Sequence, residues 1–218
     1  GNAGGVLLPD GYLQQVYTSV RAAGGLTVAD EVQVGYGRLG EHFWGFEQQG
    51  VVPDIVTMAK CTGNGVPVGA VVTTREIAEQ LRSEGSFFSS MGGSPLGCAA
   101  ALATLDALEQ EGLQQNAKVV GQHIADRVMA LAEEHPLIGT VHGLGLYRGI
   151  ELVRDRETLE PATEEALAIG ERMRELGVIV QPTGDFMNVL KIKPPLCIDL
   201  EAADAFVDAL GTTLRTGW

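Results

Sequence analysis

Lys60 and Asp30 are the residues of this chain whose surroundings most clearly suggest chemistry. Leu26-Thr27-Val28-Ala29 runs apolar into Asp30, and Val51-Val52-Pro53-Asp54-Ile55-Val56-Thr57-Met58-Ala59 runs into Lys60, which the turn Gly63-Asn64-Gly65 follows. The pattern predicts two buried strands, each ending in one charge, of opposite sign. Burying either charge unpaired costs several kcal/mol, so both need partners. A cofactor with a basic ring nitrogen and an aldehyde would serve both, and pyridoxal 5'-phosphate has both groups. The lysine amine would bond the aldehyde as a Schiff base and then act as the base at the substrate's Cα. The aspartate would keep the ring nitrogen protonated, so that the ring can absorb electrons. Ser90 and the Gly92-Gly93 turn offer a hydroxyl and backbone amides for part of the phosphate.

The elements that must position these residues follow from periodicity. Leu13, Val16, Tyr17 and Val20 predict a helix over 12–23, stopped by Gly24-Gly25. A strand over 26–30, a glycine-bearing loop with Arg38, Phe43 and Trp44, the strand into Lys60 and a strand over 69–73 come next. A helix over 75–83 and a loop over 87–95 follow, with Pro95 suited to a helix start. Two long helices are predicted over about 96–111 and 113–135. Beyond them come strands within 141–153 around Gly143 and Gly145, a helix over 163–176, strands over 178–181 and 189–193, and a closing helix over 200–214. Strands alternating with helices up to about residue 112 predict an α/β layered domain. Residues 113–218 read as a smaller α+β domain.

Bulk properties narrow the function classes. The 218 residues can bury a sizeable core, and the net charge of −13 has no basic run within it. That argues against nucleic acid or an anionic membrane surface as a partner. Nothing approaches the ~20 apolar residues of a membrane span. Cys61, Cys98 and Cys197 have no ligand spacing and read as reduced, mostly buried thiols of a cytoplasmic protein. The four histidines form no metal-ligand pair. Asp30-Glu31 after a strand also fits the acidic motif of a P-loop ATPase, but the phosphate loop that motif requires is absent from the sequence. Gly143-x-Gly145 lacks the third glycine and the following helix of a dinucleotide site, and reads as a tight strand turn.

The run from Ala29 to Arg38 (ADEVQVGYGR), followed by Pro53-Asp54-Ile55-Val56-Thr57-Met58-Ala59-Lys60, closely resembles the cofactor signature of class III aminotransferases. The likeness continues through Gly63-Asn64-Gly65-Val66-Pro67-Val68-Gly69-Ala70, Gly92-Gly93-Ser94-Pro95 and Lys191-Ile192-Lys193-Pro194-Pro195, collinear along nearly the whole chain. The resemblance implies a fold-type-I enzyme of the pyridoxal phosphate class. Residues 1–112 would be the carboxy-terminal part of a large domain with a mostly parallel sheet, and 113–218 the small domain. It further implies that Lys60 carries the cofactor and Asp30 meets the ring nitrogen, while Gln33 lies near the phenolic oxygen. Ser90, where the family usually has threonine, would reach the phosphate of the neighbouring subunit's cofactor in a homodimer.

Lys191 departs from the arginine with which many of these enzymes grip the substrate's α-carboxylate. A lysine is a point charge and cannot make that two-pronged bond. Strand alternation puts Lys191 and Lys193 on one face, an arrangement suited to a phosphate. The Val189-to-Pro195 pattern is similar to a subgroup that includes ethanolamine-phosphate and phosphohydroxylysine phospho-lyases. The expected activity is therefore chemistry on a primary amine, with β-elimination of phosphate preferred. The alternatives are a conventional transaminase and an inactive fragment or cofactor-binding module. Because family members begin well upstream of Gly1, the chain resembles the carboxy-terminal portion of a longer enzyme, poorly stable and inactive by itself.

Overall fold

The computed structural model describes residues 4–218, which form two compact units. The first comprises Leu8–Gly37 and His42–Gly112. It opens with α1 (Tyr12–Ala22), entered through Gly11 at φ 76° and left through the glycine pair. β1 (Val28–Asp30) follows, then a one-turn 3-10 helix (Gly45–Gln49), β2 (Ile55–Met58) and a second short 3-10 turn (Lys60–Gly63). β3 (Ala70–Thr73) leads into α2 (Arg75–Glu84), whose first turn is capped by Thr74 Oγ1 accepting from the Ile77 amide at 3.4 Å. Pro95 opens α3 (Pro95–Gln110), where its missing N–H costs nothing.

The sheet of this unit has the order β1-β2-β3. β1 and β2 run parallel, with Val28 opposite Ile55 and Asp30 opposite Thr57, whereas β3 returns antiparallel with Ala70 opposite Met58. The sheet is thus mixed where a mostly parallel one was expected. The strands are also not buried as predicted: Val28, Val71 and Val72 are each more than half exposed, and Asp30 and Lys60 are exposed too. Among the described residues no layer covers those valines, so burial alone does not force partners on the two charges.

The second unit comprises residues 4–7, Arg38–Glu41 and Leu113–Trp218. It contains α4 (Leu113–Glu134), β4 (Ile138–Leu144), β5 (Tyr147–Asp155), the two-residue β6 (Glu160–Pro161), α5 (Thr163–Glu175), β7 (Gln181–Thr183), β8 (Val189–Ile192) and α6 (Leu200–Thr216). Its sheet is antiparallel in the order β4-β5-β8-β7, with β6 added to β5. One face carries Ile150, Leu152, Leu190 and Ile192 into a core shared with Val120, Ile124 and Val128 of α4, Ile169 of α5, and Val207 and Leu210 of α6. Backbone contact seals the layers: a Cβ on Gly121 of α4 would overlap the Gly145 carbonyl oxygen.

The strand expected over 178–181 lies later, at Gln181–Thr183. In the observed antiparallel register Gln181 faces Lys191, so extending the ladder backwards would set residue 178 against Pro194. Proline cannot donate to a ladder. Val178 and Val180 instead alternate inward against the core without pairing. The cysteines also differ from expectation. All three are free, but Cys98 and Cys197 are exposed, the former on an α3 that buries only Gly97 and Leu108. Among the described residues no helix is long and apolar enough to cross a membrane.

Candidate active site

The parallel pairing of β1 with β2 sends both chains out of the sheet at the same end. Asp30 is the last residue of β1, and Lys60 stands three residues beyond its register partner Thr57. The carboxyl ends of neighbouring parallel strands are where α/β sheets bind ligands. Lys60 is there with φ 48°, one of five non-glycine residues at positive φ among the described residues, directly after Ala59 at φ −160° and ψ −153°. A side chain in that left-handed region costs roughly 1–2 kcal/mol, and such strain collects at functional positions.

Asp30 accepts the Val32 amide on Oδ1 at 3.1 Å and makes no other hydrogen bond among the described residues. No ion pair joins it to Lys60, and the two line different hollows. One of about 560 Å³ lies beside Lys60 against Ala59 and the Gly65–Gly69 stretch. The other, about 490 Å³, lies between α1 and β1 and reaches Asp30. Ser90 is exposed in the loop before α3, where the neighbouring Ser89 Oγ accepts the Gly92 amide at 3.0 Å. The described contacts do not join it to Asp30 or Lys60. Gln33 is half-buried in the turn after β1. Lys191 belongs to the other unit, on β8 between Gly149 and Gln181, with its side chain on the face opposite Leu190 and Ile192.

Two carboxylates that the sequence did not single out hold this end of the sheet in shape. Glu31 is 2% exposed, and its carboxylate accepts the amides of Gly45 at 2.7 Å and Phe46 at 3.0 Å. It thereby caps the first turn of the Gly45–Gln49 helix. Burial pushes its carboxyl above the usual carboxylate range, against the pull of those two amides. Asp54 takes the Arg21 guanidinium, with Nη2 2.9 Å from Oδ1, together with the Thr27 amide at 2.8 Å and hydroxyl at 2.7 Å on Oδ2. Arg21 first, then Thr27, lowers its carboxyl to about 2. Asp54 thus ties α1 to the start of β2. Strand alternation was the available signal for Glu31, since only one of the consecutive Asp30 and Glu31 can face inward.

An exposed carboxylate with a free oxygen and a strained lysine at one strand end fit the donor set pyridoxal phosphate needs. The profile of the Aminotransferase class-III family matches residues 1–214. The chain belongs to the class III aminotransferases. It is 49% identical over 206 residues to an alanine–glyoxylate aminotransferase 2-like protein of Drosophila melanogaster, covering 94% of this chain and 42% of that one. Its identity to alanine–glyoxylate aminotransferase 2 homolog 2, mitochondrial, of Arabidopsis thaliana is 50% over 210 residues, covering 96% and 44%. Among solved structures, a phospholyase from Arthrobacter in complex with phosphoethanolamine superposes with a TM-score of 0.95 at 39% identity, over 100% of this chain and 52% of that one. An aminotransferase of Bacillus anthracis gives 0.89 at 34%, over 98% and 50%. The chain therefore spans about half the length of these relatives or less. The fold is that of fold-type-I enzymes, and pyridoxal 5'-phosphate is the cofactor of the family.

Proposed function

We propose that this chain is part of a pyridoxal phosphate-dependent lyase that eliminates phosphate from a phosphorylated primary amine. Residues 1–112 correspond in this reading to the carboxy-terminal part of the large cofactor domain and 113–218 to the small domain. Lys60 holds the cofactor through its amine and, once released, moves the proton at the carbon bearing the substrate nitrogen. Asp30 pairs with the ring nitrogen, and Gln33 meets the phenolic oxygen. Ser90 reaches the phosphate of a partner subunit's cofactor in a homodimer. When bound, pyridoxal phosphate supplies an electron sink for the carbon that loses its proton. The C–H electron pair then becomes a double bond as the C–O bond to phosphate breaks, and water converts the enamine product to aldehyde and ammonia. The cytoplasm is the proposed compartment, where thiols such as the exposed Cys98 and Cys197 stay reduced.

The observation that carries the preference is Lys191 on β8, on the face opposite Leu190 and Ile192, with Lys193 directly past the strand's end. Two ammonium charges can neutralise a phosphate dianion, whereas one lysine in place of arginine gives up the two-pronged grip on a carboxylate. The likeness to a phospholyase solved with phosphoethanolamine supports it. The second reading is amine transfer between alanine and glyoxylate, favoured by the names of relatives at 49% and 50% identity.

The deciding assay incubates the full-length holoenzyme with ethanolamine phosphate and, separately, with alanine plus glyoxylate. Phosphate and ammonia in equal amounts support the lyase. Glycine and pyruvate without phosphate release would overturn it in favour of the transaminase. A cofactor absorbance near ~410–430 nm that borohydride traps on Lys60 tests the site itself. Absence of that band from the full-length protein would leave only the inactive-module reading.

A further inference from the structure

The ladder that carries Lys191 stops one residue later. β8 pairs with β7 as far as Lys191, opposite Gln181, and with β5 as far as Ile192, opposite Arg148. Lys193, Pro194 and Pro195 follow, and the two prolines have no N–H with which to continue. Their carbonyls still require donors. Arg38 supplies one, its Nη1 lying 2.5 Å from the Pro194 carbonyl oxygen.

Arg38 is well placed to act as a fixed donor. It opens the four-residue stretch Arg38–Glu41, which packs as part of the C-terminal unit although Gly37 and His42 on either side belong to the other. Its own carbonyl accepts the Leu146 amide at 3.0 Å. Gly40 O accepts Gln114 Nε2 at 2.9 Å, and Glu41 pairs with Lys118 Nζ at 2.5 Å. The stretch lies so close to the β4–β5 turn that a Cβ on Gly145 would come within 2.5 Å of the Arg38 carbonyl oxygen. Lys193, next to Pro194, sets its ammonium 5.4 Å from the centroid of the Tyr147 ring. That ring is 2% exposed, and its hydroxyl is buried with no hydrogen-bond partner among the described residues.

We infer that Arg38 is a positioning residue: by holding the Pro194 carbonyl it fixes the Lys193 ammonium beside Lys191 as the second cation for a substrate phosphate. The inference rests on the phosphorylated-amine reading above and deepens it. Lysine is a flexible point charge, so two of them act on one anion only if the backbone between them is held. The ladder holds Lys191; past its end, the Arg38 bond to the Pro194 carbonyl restrains the backbone that carries Lys193. Arg38 thereby favours phosphorylated over unphosphorylated amines without touching either.

The test uses the full-length holoenzyme with Arg38→Met, which keeps the stem and removes the donor, Arg38→Lys, which keeps one donor, Lys193→Ala and Lys191→Ala. Arg38→Met should raise KM for ethanolamine phosphate about tenfold with kcat within about threefold, and should weaken calorimetric binding of ethanolamine phosphate equally. Arg38→Lys should recover most of that loss. Calorimetric binding of ethanolamine, the same amine without its phosphate, and the cofactor absorbance should not move. Lys193→Ala should match Arg38→Met, and the double variant should be no worse than either alone. Equal losses with both amines, or additive losses in the double variant, would overturn the inference and leave Arg38 a purely structural residue. Should Arg38→Met fail to fold, Lys193→Ala carries the test alone: unchanged binding of ethanolamine phosphate by that variant would overturn the inference. A wild type that binds no ethanolamine phosphate, with Lys191→Ala silent, would sink the phosphate reading itself. Binding that depends on Lys191 but not on Arg38 would sink this inference alone.

Discussion

The two units of this chain are held together by different physics. The C-terminal unit closes a continuous apolar core in which Ile124, Ile138, Ile150, Leu152, Ile169, Leu190 and Leu210 are almost wholly buried. The unit that carries Asp30 and Lys60 buries far less and leaves Phe87, Phe88, Met91 and Leu96 mostly exposed. Its order comes from two polar clamps, Glu31 on the Gly45–Gln49 helix and Asp54 on Arg21 and Thr27, beside the edge-packed ring cluster of Tyr36, Phe43 and Trp44. Burial is non-directional and stabilises a fold broadly, whereas a hydrogen-bonded carboxylate fixes one loop in one geometry. The proposed cofactor residues Asp30 and Lys60 lie on the unit built the second way.

The largest expected effect separates chemistry from stability. Lys60→Ala in the full-length enzyme should lower turnover by about a thousandfold or more and abolish the borohydride-trapped adduct. Its urea midpoint should stay close to that of the parent. A variant that keeps turnover would remove Lys60 from the mechanism.

Next in size is the core itself. Ile150→Ala, at the centre of the antiparallel sheet, should cost about 3–4 kcal/mol in a chemical denaturation curve. A loss below about 1 kcal/mol would mean that the C-terminal core can collapse around the gap, and the contrast between the units would weaken.

The clamps should show themselves through pH. Asp54 titrates near 2 in the folded protein against an ordinary 3.8. Its contribution is therefore complete above about pH 4 and is lost as pH falls from there towards 2. Asp54→Asn should be less stable than the parent at pH 7, with the difference closing in that window. Denaturation at about pH 7, 4 and 2.5 would show it, and a difference that did not change with pH would mean the clamp is not ionic. Smallest of all, Val71→Thr on the exposed face of β3 should move stability by no more than about 0.5 kcal/mol. A larger loss in the assembled enzyme would show that this face is covered there.

The helices were legible because each carries its own signals: the glycine stop after α1, Pro95 at the start of α3, and apolar spacing along α4 and α6. The pairing of strands was less so, since β7 and the 178–180 stretch share the same alternation and differ only in whether their neighbour can donate. The collinear signature around Asp30 and Lys60 gave the family and the cofactor. It could not reveal that these two residues are exposed and line separate hollows, because exposure depends on what packs around a strand, not on its own residues. Glu31 and Asp54 stayed unassigned for the same reason: their partners, Gly45 and Arg21, are distant in sequence and have no motif of their own.

The left-handed backbone at Lys60 has a consequence for anyone engineering this protein. Glycine is the residue that geometry prefers, by roughly 1 kcal/mol over a side-chain-bearing residue. Lys60→Gly should therefore melt later than Lys60→Ala, and a selection for thermal robustness alone would drift towards a chemically silent enzyme. Any stabilisation campaign has to be scored on turnover at the same time.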